Sequence, residues 1–180
     1  GKIKEFVDQT VGGSIPPQFI PAVEKGYEDM VVKGPLCGFP VFNVRFVVED
    51  GAFHAVDSSE QAFRTATYHA FKQGFDRAGP TLLEPWMNLE ITTPVEFQSQ
   101  VIGALNKRRG FIMNTENEGD YVVIHAEVAL NSMFGYATDL RSTTQGKAEF
   151  SMEYLRHSEV TREHFEEVVA KYKDNKDKLI

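Results

Sequence analysis

The chain has 180 residues, 42% of them hydrophobic and 25% charged, proportions ordinary for a globular fold. Its net charge of −7 argues against a protein held to nucleic acid by a broadly basic surface, and its single cysteine excludes an internal disulfide or a cysteine-based zinc site. No apolar run approaches the roughly 20 residues that a membrane-spanning helix needs, and the opening GKIKEFVDQT lacks a basic-then-apolar signal pattern.

In chain order, Ile3 to Val11 reads as a strand ending at Gly12-Gly13. A helix is predicted over about 19–33, with Phe19, Val23, Tyr27, Met30 and Val31 on one face, Pro21 in the first turn and Gly34-Pro35 as the stop. Val41 to Val48 alternates, placing Phe42, Val44, Phe46 and Val48 on one side of a strand. Asp50-Gly51 signals a hairpin turn, with Ala52 to Val56 as the return strand. Ser58 with Gln61 forms a capping box for a helix to about Asp76. Its apolar stripe is Phe63, Ala66, Thr67, Ala70, Phe71 and Phe75, and the small residues Ala62, Ala66, Ala70 and Gly74 form a row suited to close packing on a sheet.

PTLLEP, residues 80–85, reads as a domain junction. A strand carrying Met87, Leu89 and Ile91 follows. Thr93 with Glu96 predicts a second capping box, Pro94 suits the first helical position, and the helix runs to about Arg108. Next come a strand over about Gly110–Glu116, a polar loop NTENEGD, and a strand with Val122, Ile124, Ala126, Val128 and Leu130 on one face. Asn131 is expected to cap a short helix, and Ala148, Phe150, Met152 and Tyr154 alternate in a last strand. The order βαββαβ is the split arrangement of ferredoxin-like domains. A final helix from about Arg162 to Lys173 presents Phe165, Val168, Val169 and Tyr172, and the terminal KDNKDKLI is expected to fray.

Catalytic signatures are scarce. Neither GxxxxGK[ST] nor a helix-opening GxGxxG occurs. HAE at 125–127 lacks the PCxxC of zinc deaminases, HFEEV at 164–168 lacks a second zinc-binding histidine, and Cys37 reads as a packed side chain rather than a nucleophile. Two features remain. His54 follows a turn and precedes a helix start, although most turn histidines are simply exposed. Lys107, Arg108 and Arg109 end a helix, where cations complement the dipole or reach a phosphate; position alone favours the dipole.

Several collinear stretches carry a resemblance: IPPQFIPAVEKGYEDMVVKGPLCGFPV, DGAFHAVDSSEQAF, LLEPWMNLEITTPVEF, VIGALNKRRG and MFGYATDLRSTTQGKAEFSMEY. Together they resemble elongation factor G, a ribosomal translocase, over about residues 5–156. KGPLCGF, VRFVVEDGAFH and ENEGDYVVIHAEVALNSMFGY lean towards its mitochondrial form. The resemblance implies an α+β chain: a ribosomal-protein-S5 domain-2-like βα domain IV over 1–84 with its first strands missing, a ferredoxin-like domain V over 85–158, and a helix and tail over 159–180. It implies a domain IV tip in the decoding site, with His54 beside tRNA and mRNA and Asp50, Gly51 and Phe53 shaping the loop. Lys107, Arg108 and Arg109 match a basic corner facing large-subunit RNA. The GTPase domain lies outside this stretch, so no catalytic residue, metal or cofactor is expected in it; GTP and Mg belong to the parent protein. The implied partner is the ribosome, not DNA or a membrane, and the implied compartment is the mitochondrion, or the cytoplasm for a bacterial parent. A factor specialised for ribosome recycling shares most of these motifs. A small-molecule-binding ferredoxin-like module is the alternative from another class.

Overall fold

The computed structural model describes residues 3–177, which divide into two compact units. The first joins residues 3–80 with 163–177, and the second holds 81–162.

In the first unit, strand β1 (Lys4–Asp8) leads through a short 3-10 helix, Pro17–Phe19, into helix α1 (Ile20–Val32). Strand β2 (Val44–Val48) then returns beside β1 in parallel, with Phe6 opposite Phe46. A parallel pair requires a crossover, and α1 supplies it. Helix α2 (Glu60–Arg77) lies against α1. Aromatic rings fill the space between helices and strands: Tyr27 stacks on Phe46 at 5.6 Å and Phe46 on Phe71 at 5.9 Å between centroids. The helices meet closely at Gly26, where an added Cβ would lie 2.9 Å from the Thr67 Cβ. Helix α5 (Arg162–Asp177) belongs to this unit, and its Tyr172 ring closes on Gly38.

The second unit is a four-stranded antiparallel sheet of β3 (Leu83–Pro94), β4 (Phe111–Glu118), β5 (Tyr121–Ala129) and β6 (Glu149–Glu159), in spatial order β4-β5-β3-β6. Helices α3 (Gln98–Lys107) and α4 (Tyr136–Thr143) contribute to the core beneath one face. That core joins Leu89 and Ile91 of β3, Val122, Ile124, Ala126 and Val128 of β5, Val101 and Leu105 of α3, and Tyr136 and Leu140 of α4. The parallel βα unit and the ferredoxin-like unit are the α+β architecture the sequence predicts.

Several local expectations fail for identifiable reasons. The Asp50-Gly51 hairpin does not form: residues 49–56 contain no strand, and β2 pairs with β1 instead. The helix cap is Ser59, which accepts from the Ala62 N–H at 3.0 Å, one residue beyond the predicted Ser58. Ala62, Ala66, Ala70 and Gly74 are exposed, while Phe63, Thr67 and Phe71 are buried, so small residues line the outer side of α2. Thr93 forms no capping box: it is fully buried, and strand β3 runs on to Pro94 before a 3-10 turn. NTENEGD is mostly strand, because β4 continues to Glu118 and only Gly119-Asp120 turn the chain, with Gly119 at φ +67°. Gly135, at φ +74°, stands at the α4 N-cap in place of Asn131.

Candidate functional site

The segments after β1 and β2 leave the same end of the parallel pair, the end where α/β folds commonly place sites. Three contacts fix the path of the second segment. Gly51 passes so close to buried Ile15 that an added Cβ would sit 2.5 Å from its Cγ1. Gly51 does not have positive φ, so the glycine serves close approach here and not turn geometry. Phe53 packs on Phe19 at 5.9 Å, and Phe19 stacks in turn on Phe63 at 4.7 Å. The His54 N–H donates to Ser58 Oγ at 2.8 Å, and the Ser58 N–H donates to the His54 carbonyl at 3.0 Å. The serine predicted to start the helix therefore closes the loop around the histidine, and its neighbour Ser59 starts the helix.

His54 is exposed, with both backbone polar groups engaged. Its imidazole can donate to phosphate or a 2′-hydroxyl, or stack on a base. Phe53 retains 42% exposure, but its packing on Phe19 makes it an anchor for the loop. The Asp50 carboxylate accepts from the Gly51 N–H at 2.8 Å, turning one oxygen back on the chain. Glu49, Asp50, Asp57 and Glu60 lie in or beside this segment in sequence, and all four are exposed. Such a loop suits recognition of position and shape more than electrostatic capture.

The three cations of the second unit have different surroundings. Arg108 is built into the fold: its Nη1 donates to the carbonyls of Ser132 at 2.6 Å and Phe134 at 3.0 Å. Its Nη2 pairs with Asp139, and the guanidinium lies 5.3 Å from the Tyr136 ring centroid. Only 18% of its side chain is exposed. Burial pushes the Tyr136 phenol up to about 12, against the opposing influence of Arg108. Tyr136 and Asp139 belong to MFGYATDLRS, so this stretch holds the helix end of NKRRG. Lys107 and Arg109 are exposed.

Arg109 lies at φ +58°, where glycine is usual. The Arg109 N–H donates to Asn106 and the Gly110 N–H to Leu105, the paired bonds that close a helix C-terminus. A side chain in this left-handed conformation costs about 1 kcal/mol relative to glycine. Arg109→Gly is accordingly expected to stabilise the second unit by about 1 kcal/mol in urea unfolding. Destabilisation would show that the Arg109 side chain contributes to the fold.

Elsewhere, Cys37 is buried, and burial pushes its thiol up, away from thiolate chemistry. Among the described residues, no group of three His, Cys, Asp or Glu side chains is placed to hold a metal ion. An open depression in the second unit is lined by residues including Ala137, Leu140, Arg141 and Phe150.

A parallel βα unit followed by a ferredoxin-like unit is matched along its length by family models for two consecutive domains, which places the chain among the translation elongation factors. The first model, described as elongation factor G, domain IV, covers residues 1–79; the second, elongation factor G C-terminus, covers 81–168. The chain belongs to the elongation factor G family. Elongation factor G 2 of Anaeromyxobacter dehalogenans (strain 2CP-C) is 53% identical over 167 residues, covering 93% of this chain and 24% of that protein. A crystal structure from Thermus thermophilus matches with a TM-score of 0.80 and 35% identity, over 94% of this chain and 26% of that one. The chain thus spans about a quarter of the length of these relatives.

Proposed function

We propose that this chain is the RNA-reaching part of a factor that drives tRNA and mRNA through the ribosome. The parent protein supplies the GTPase activity, with GTP and Mg bound in a domain outside this chain. The loop bearing His54 enters the decoding site and follows the moving tRNA–mRNA duplex. Lys107 and Arg109 face RNA of the large-subunit factor-binding region. The observation that carries this reading is the exposed imidazole on a loop held by Ile15, Phe19 and Ser58. A loop fixed at three points has little flexibility left to lose when it docks, so His54 can act as a positioned contact. The bacterial relative favours a bacterial cytoplasm over the mitochondrion that several sequence motifs suggest.

The test is His54→Ala in the full-length factor. Single-turnover translocation is expected to slow about tenfold, a loss of about 1.4 kcal/mol of transition-state stabilisation, while GTP hydrolysis stays unchanged. Unaltered translocation would remove His54 from the mechanism. Slowed ribosome splitting with translocation intact would assign the loop to recycling instead.

A further inference from the structure

The sheet of the second unit buries one face and leaves the other open, and the register of all four strands defines what that open face carries. Leu89 and Ile91 point inward, so Trp86, Asn88, Glu90 and Thr92 point out. Their cross-strand partners extend the same face: Glu127 and His125 on β5, then Glu153 and Ser151 on β6. Antiparallel partners share a side of the sheet, so the face can be read row by row. The rows place Glu90, Glu116, Glu118, Glu127, Glu149 and Glu153 on one surface. The cations within these rows are Arg156 and, when protonated, His125. His125 lies between Glu90 and Glu116, 3.7 Å from each. At one end of the face Trp86 stacks on Phe111 at 5.6 Å, and Phe111 is 61% exposed.

We propose that this open sheet face docks a lysine- and arginine-rich polypeptide segment. Charge complementarity selects the occupant. Phosphates would be repelled by this array of carboxylates, which makes the face unlike the RNA-stacking sheets of other ferredoxin-like domains. The spacing also suits a peptide. Successive outward residues on a strand lie roughly 6.8 Å apart, as do alternate side chains of an extended peptide. Basic residues at every second position could therefore meet successive rows. Arg156 displays the local mode of recognition: its guanidinium lies over Trp86 at 5.8 Å while Nη2 pairs with Glu127 at 2.9 Å. A second cation would find Glu90, Glu116 and Glu153 exposed and Phe111 ready to take an adjoining apolar group. The proposal stands independently of any role for His54.

Trp86 is the only tryptophan in the chain, so its fluorescence reports on this face. Titration of the 180-residue protein with an alternating Arg-Ser decapeptide is expected to give a saturable change in emission. Glu90→Gln, Glu116→Gln and Glu153→Gln combined should weaken binding at least about tenfold at low salt. Glu24→Gln, Glu28→Gln and Glu60→Gln combined remove the same charge elsewhere and should change binding less than about twofold. Phe111→Ala alone should also weaken binding and covers the case in which the first triple variant fails to fold. No saturable response, equal loss in the two triple variants, or a matching response to a single-stranded RNA decamer overturns the proposal.

Discussion

Arg108→Ala is expected to destabilise the second unit by about 2 kcal/mol, although Arg108 lies in the middle of a run of three surface-prone cations. Its guanidinium satisfies two carbonyls in the segment leading into α4, pairs with Asp139 and covers the Tyr136 ring. Truncation leaves the part-buried Ser132 carbonyl without its donor, a loss of about 1–3 kcal/mol, while the Phe134 carbonyl is exposed and can turn to water. Asp139 is 63% exposed and can turn to solvent, so its share of the loss is small. Lysine cannot reproduce a planar fork serving separate acceptors, and Arg108→Lys should recover less than half of the loss. Lys107→Ala, by contrast, should fall within about 0.5 kcal/mol of the parent. Urea unfolding followed through Trp86, which lies in this unit, measures all three. An unchanged midpoint for Arg108→Ala would show that the carbonyls find other donors.

This division of the basic run shows what sequence could and could not reveal. Periodicity made the sheet of the second unit legible because its buried face repeats regularly: Leu89 and Ile91 on β3, then Val122, Ile124, Ala126 and Val128 on β5, carry the alternation directly. NKRRG offered no means of telling its arginines apart, since the groups that capture Arg108 are Ser132, Phe134, Tyr136 and Asp139, at least 24 residues away. The Asp50-Gly51 signal failed for a related reason. A two-residue turn is a local preference, and tertiary contacts override it here: Gly51 closes on buried Ile15 and Phe53 packs on Phe19, which holds the segment on another path. The caps misplaced at Ser58, Thr93 and Asn131 are small local errors of the same origin, because polar residues near a helix start compete and tertiary packing chooses among them. His54 stood out by its position, but the grip of Ser58 on its backbone was hidden behind a plausible capping role.

The second large effect concerns the anchor beneath His54. Gly51→Ala places a methyl group where Ile15 already sits, with Cγ1 at 2.5 Å and Cδ1 at 2.6 Å from the added carbon. Ile15 is only 5% exposed and packs among Val23, Val48 and Phe63, so it has little room to withdraw. Overpacking of this kind costs about 1–3 kcal/mol. Ile15→Ala creates the opposite fault, a cavity worth about 2–5 kcal/mol. Combining the two lets the new methyl group occupy space the isoleucine vacated. The double variant should be at least about 1 kcal/mol more stable than the sum of the single changes predicts. Hydrogen exchange at buried amides of α1 and β2 measures these differences in the first unit, while Trp86 remains a control for the second. Strict additivity would mean that the loop slides away from Ile15 without resistance. The His54 imidazole provides a separate readout by NMR. Gly51→Ala should shift its ring resonances, because Gly51 and His54 lie on one short segment whose path is fixed at Ile15, Phe19 and Ser58. Restoration of those resonances in the double variant would show that Ile15 and Gly51 together set where the histidine stands.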